Sequence, residues 1–113
     1  MIVKNVNSKE VVSTTYIAHD GAIARMILTP DELNEIGFLA FVVIPPGNAI
    51  SPHVDPMEEI YFVLKGKGRM LVGEDERDVE TGDAIVIPKG NLHSLANTGD
   101  DVLHLLVIAA PWK

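Results

Sequence analysis

The 113 residues are 47% hydrophobic and 22% charged, the balance of one soluble domain with a single core rather than of a disordered chain. Sixteen acidic against nine basic residues leave a net charge of −7, a field that repels nucleic acid and anionic membrane surfaces. Cysteine is absent, which excludes disulfide scaffolds, thiolate zinc sites and cysteine nucleophiles.

Residues 1–16 lack the apolar core of a signal peptide, and the longest apolar runs, 38–44 and 105–110, are too short to span a bilayer. The cytoplasm is therefore the expected compartment. His19-Asp20-Gly21 reads as a turn, and the apolar run 22–28 as a strand. Thr29-Pro30-Asp31-Glu32 then offers an N-cap, a proline at the first helical position and a glutamate at the third. That capping box predicts one short helix near residues 30–36, ended by Gly37. Further strands are predicted at 38–44, 59–65, 68–73, 83–88, 93–97 and 102–109, separated by turns such as Pro45-Pro46-Gly47 and Asn97-Thr98-Gly99-Asp100. Short strands and frequent turns predict an all-β barrel or sandwich, with one domain over 1–113.

In the run 59–65, Glu59, Tyr61 and Val63 face one way and Ile60, Phe62 and Leu64 the other, so both faces are largely apolar. One lines the barrel. The other needs cover from a second sheet of the same chain or from another copy, and a homodimer is expected.

The segment Ile50–Tyr61 holds the candidate site. In extended chain His53 and Asp55 point to the same side, and Pro52 and Pro56 stiffen them there. Glu59 shares their parity, which selects it over Glu58. A fourth group must come from elsewhere, and His93 follows a turn able to aim its strand back across the first. Two imidazoles and two carboxylates suit a divalent first-row metal. His104 stands in a strand that can line the barrel, where it would add a polar group. No nucleophile elbow, phosphate-binding glycine loop or helix-turn-helix is present in the sequence. The cation that a 2-oxoglutarate-type oxygenase needs has no candidate arginine in the strands after His93 either, since the arginines are Arg25, Arg69 and Arg77.

Gly47-x5-His53-x-Asp55-x3-Glu59-x6-Gly66 resembles the first cupin motif, G-x5-H-x-H-x3,4-E-x6-G. Gly82-x5-Pro88-x-Gly90-x2-His93-x3-Asn97 matches the second, G-x5-P-x-G-x2-H-x3-N, at every fixed position. The motifs occupy 47–66 and 82–97. The resemblance implies a cupin-like β-barrel of two antiparallel sheets with jelly-roll, Greek-key connections, commonly a dimer, with a metal held by His53, Glu59 and His93. Asn97 would tie down backbone at the end of its strand. Asp55 departs from the pattern, standing where the family has a second histidine. Three arrangements are open: Asp55 as a ligand, Asp55 as a base beside a three-ligand set, or a barrel without metal. With Asp55 as a ligand, a divalent ion is formally neutral, which leans the choice toward Mn²⁺ or Fe²⁺, with Ni²⁺ and Zn²⁺ as the other candidates. The implied function is a metal-dependent enzyme of the dioxygenase, isomerase, decarboxylase or lyase type, acting on a small polar metabolite. The alternative is a non-catalytic module that binds a metal or small molecule.

Overall fold

Apolar side chains at every second position need two facing sheets to bury them, and ten antiparallel strands provide these. The computed structural model describes residues 1–112. Its strands are β1 (Tyr16–Ala18), β2 (Ala22–Leu28), β3 (Phe38–Ile44), β4 (Ala49–Val54), β5 (Glu59–Lys65), β6 (Lys67–Val72), β7 (Asp75–Glu80), β8 (Ala84–Ile87), β9 (Leu92–Asn97) and β10 (Leu103–Ala109). Six form one sheet in the order β1-β2-β3-β10-β5-β8, and four form the other in the order β4-β9-β6-β7. Ile44, Val63, Leu95, Leu103 and Leu105 interlock between the sheets and are fully buried.

The turns need backbone that L-residues rarely adopt at two places that matter for the site. Gly66 joins β5 to β6 at φ 110, and Gly90 precedes β9 at φ 79. The Gly90 amide also donates to the Asp55 carbonyl at 3.0 Å, which fixes the loop after β4.

Strand β5 divides as its alternation predicts. Glu59, Tyr61 and Val63 are buried, whereas Ile60, Phe62 and Leu64 remain 38%, 37% and 39% exposed. The second sheet packs only on the inner side, so among the described residues no strand covers the outer one. His104 lies on that outer side too, tilted against Phe41 at 5.8 Å, and so it does not enter the barrel.

The expected helix near residues 30–36 does not form. Its capping contacts do: the Thr29 amide donates to Glu32 Oε2 at 2.7 Å and the Asp31 amide to Thr29 Oγ1 at 3.3 Å. They close a single turn. Starting a helix is costly unless an apolar face is buried along it, and here Ile36 stays half exposed while the Gly37 amide bonds to the Ala109 carbonyl at 2.7 Å, drawing the chain into β3. The α-helix among the described residues is instead α1 (Lys9–Val12), capped by Ser8, whose hydroxyl accepts from the Val11 amide at 3.2 Å. It survives at four residues because Val11 is buried.

Candidate metal centre

Pro52 has no amide to donate, so the pairing of β4 with β9 slips between Ile50 and His53. The slip frees the polar groups of Ser51. Its amide turns to the His19 carbonyl at 3.0 Å, and its carbonyl receives His53 Nδ1 at 2.8 Å. Beyond the slip the register resumes with His53 directly opposite His93. Their rings lie 4.1 Å apart at 59°.

His93 is held in the same way, with Nδ1 3.0 Å from the Asn91 carbonyl. A carbonyl accepts only from N–H, so both imidazoles carry a proton at Nδ1 and turn Nε2 inward. His53 Nε2 meets Asp55 Oδ2 at 3.1 Å. His93 Nε2 stands 3.5 Å from Glu59 Oε1 and 3.6 Å from Asp55 Oδ2. Among the described residues, Glu59 Oε1 and His93 Nε2 are the two buried side-chain atoms with no hydrogen-bond partner. They face each other. Leaving such groups unpaired is costly.

The electrostatics follow from this crowding. Burial pushes the Glu59 carboxyl up to about 9, reinforced by a hydrogen bond to Asp55 and by its negative charge. Asp55 is held below the ordinary carboxylate range: burial acts to raise it, but the proton from Glu59 and the imidazoles of His53, His93 and His19 together outweigh that. Burial lowers the pKa of His93 and so favours the neutral ring that a metal requires.

The donor atoms fit an ion. Ligand atoms about 2.1 Å from a first-row metal stand roughly 3.0 Å apart at right angles and roughly 4.2 Å apart across it. The separations of 3.1, 3.5 and 3.6 Å fall in that range, and Asp55, Glu59 and His93 offer atoms all within 4.8 Å of one another. His53 joins this group through Asp55. The four residues singled out from the sequence therefore meet in one place.

The sequence reading missed a fifth. His19 stacks on His53, centroids 3.5 Å apart at 11°, and groups with His53 and Asp55 as a second set of donors within 4.8 Å. Its partner lies 34 residues further along the chain, and no local pattern signals the contact. A cavity of about 60 Å³ opens beside the cluster, bordered by Glu59, His19 and Tyr61 and walled by Ala24, Phe38 and Val42. Among the described residues, neither lysine nor arginine lines it. A larger surface hollow of about 550 Å³ along β6 and β7 shares no residue with the cluster.

Residues 40–109 match the family described as Cupin domain. An uncharacterized protein of Methanocaldococcus jannaschii is 34% identical over 98 residues, 85% of this chain and 78% of that protein. The protein SchB of Streptomyces halstedii is 32% identical over 93 residues, covering 80% of this chain and 67% of its own length. Among solved structures, a predicted oxalate decarboxylase from Thermotoga maritima superposes with a TM-score of 0.83 at 24% identity, covering 97% of this chain and 99% of that one. At that identity the likeness is one of fold.

Proposed function

The chain belongs to the cupin family, and from that premise we propose that it is a divalent-metal enzyme, with His53, Asp55, Glu59 and His93 holding the ion. The observation that carries this reading is the facing pair Glu59 Oε1 and His93 Nε2, buried, 3.5 Å apart and without other partners. A proton could join the two only by leaving the oxygen pair of Glu59 and Asp55 or by adding to a histidine whose burial disfavours charge. A cation between them would satisfy both atoms at once.

When bound, the ion supplies a Lewis-acid centre for an oxygen of the substrate. The protein's own groups do the rest. Asn91 and Ser51 carbonyls keep both Nε2 atoms aimed inward, as hydrogen-bonded imidazoles are held at metal sites. Asp55, about one-fifth exposed where Glu59 is 5% exposed, closes the donor set toward solvent. The cavity accepts a small apolar flank beside the metal-seeking oxygen. Because neither lysine nor arginine is among the described residues that line it, a second carboxylate would find no permanent countercharge there. We therefore assign a small metabolite with one oxygen-bearing head, such as a hydroxy, keto or monocarboxylate group, rather than a dianion of the kind named for the Thermotoga barrel.

Elemental analysis of untagged protein beside His93→Ala tests the reading. The expected result is about one ion per chain in the wild type and loss of it in the variant, with the β-sheet circular dichroism kept. Wild-type protein that takes up no Mn²⁺, Fe²⁺, Ni²⁺ or Zn²⁺ on dialysis would overturn it, as would full occupancy in His93→Ala.

A further inference from the structure

His19 has no part in the four-residue set, yet the fold goes to some length to place it. Resting on the metal reading above, we propose that His19 faces the same ion from the barrel mouth and supplies a third imidazole. Its ligand atoms lie within 4.8 Å of those of His53 and Asp55, and Asp55 belongs equally to the inner group with Glu59 and His93. The five side chains thus form one continuous set of donors hinged on Asp55.

The loop that carries His19 is fastened to the strand that carries His53. The pair Ala18 and Ala22 closes β1 and β2 around His19-Asp20-Gly21. The Ser51 amide donates to the His19 carbonyl at 3.0 Å, the Ser51 hydroxyl to Asp20 Oδ2 at 3.0 Å, and Asn48 Nδ2 to the Gly21 carbonyl at 3.2 Å. At Gly21 the approach is so close that a Cβ would collide with the Ala49 carbonyl. Two successive non-glycine residues also hold left-handed backbone, His19 at φ 46 and Asp20 at φ 72. Glycine or asparagine would satisfy that turn with less strain. The position instead carries an imidazole, laid flat on the His53 ring at 3.5 Å. A hairpin that merely joined two strands would need neither the three bonds to Asn48 and Ser51 nor the histidine.

The chemical consequence is metal preference. A third nitrogen donor favours Ni²⁺, Cu²⁺ or Zn²⁺ over Mn²⁺ relative to a two-imidazole, two-carboxylate set. His19→Asn tests this, because asparagine suits left-handed backbone and should keep the turn. His19→Gly, which adopts it freely, is the second variant. Each is loaded with Cu²⁺ for electron paramagnetic resonance and titrated with Ni²⁺ against Mn²⁺. The expected outcome is one fewer coupled nitrogen than in the wild type, with Ni²⁺ affinity lower by about tenfold or more and Mn²⁺ affinity changed far less. Identical nitrogen couplings and an unchanged Ni²⁺/Mn²⁺ ratio in both variants would overturn the role of His19. A wild type that takes up no ion would instead overturn the metal reading beneath it.

Discussion

Asn97 shows how one side chain can hold a corner of the barrel. Its Nδ2 donates to the Ile44 and Asp101 carbonyls, both at 2.8 Å, and its Oδ1 accepts from the Gly99 amide at 2.9 Å. The three bonds clamp the end of β3 to the turn between β9 and β10. Asn97→Ala takes this donor from the Ile44 carbonyl, which lies on a fully buried residue. The expected cost is about 2–3 kcal/mol, one buried unpaired carbonyl plus the lost turn contacts. Urea unfolding in chelator measures it apart from any metal contribution, and a loss below about 0.5 kcal/mol would show the clamp to be dispensable. This residue was legible in the sequence, because the second motif fixes its spacing from His93. His19 was not, since its contact depends on a left-handed turn and a slipped strand pairing that only tertiary structure creates. Asp55 lies between these cases: its position was readable, but its hinge role between two donor groups was not.

Among the elements, those with strict apolar alternation read directly, and β2, β3 and β5 fall on the predicted residues. Three strands escaped, β1 because it is only Tyr16–Ala18 and the other two for opposite reasons. In β4, Ser51, Pro52 and His53 interrupt the alternation because they serve the site. In β7, Asp75–Glu80 exposes all but Val79, and as the edge of its sheet it carries the charges that discourage pairing with other chains. The missing helix near 30–36 left its capping glutamate with another task. Glu32 accepts from the Thr29 amide and hydroxyl and pairs with Lys4 at 3.1 Å, so the turn holds the N-terminal segment. Lys4 bonds Glu10 as well, which ties α1 into the same group. Glu32→Ala should therefore speed amide exchange across α1 while leaving the midpoint of global unfolding nearly unchanged. The bonds from Thr29, and then Lys4, hold the Glu32 carboxyl down to about 2, below its ordinary 4.5. A depressed carboxylate stabilises above its unfolded pKa and loses that contribution as pH falls through its folded value. The wild-type segment should accordingly loosen between about pH 4.5 and 2, with no comparable step in Glu32→Ala. Equal exchange in both proteins at neutral pH would remove the strap from the account.

At the scale of the whole molecule, the outer face of the six-stranded sheet is left without cover. Leu106 stands beside Phe41 on one side and Phe62 on the other, an apolar cross-strand row. Ile60, Leu64 and the 59% exposed Val86 extend it toward the sheet edge. We propose that a second copy of this chain covers it. Five strands at ~4.8 Å spacing and about 7 residues at ~3.3 Å each give a flat area of roughly 550 Å² before side-chain relief is counted. A standard stable interface buries ~800 Å² per partner, so the face is of the right order. Apart from Arg25, which stands opposite Phe41 at one end, the row carries no charge, whereas the chain as a whole bears −7, so two copies repel least when this face meets itself. An isologous contact needs such a self-matching surface. Sedimentation velocity at micromolar concentration should give the mass of two chains. Phe62→Glu places a carboxylate in the row and should weaken association by about a hundredfold or more, the cost of desolvating it there. Its circular dichroism and metal content should stay those of the wild type, because Phe62 points away from the donor cluster. A monomeric wild type would leave the face to another occupant, and a dimeric Phe62→Glu would move the interface elsewhere on the barrel. If the variant also lost its ion, the two faces of β5 would be coupled through Glu59 and Tyr61, and the metal centre would depend on assembly.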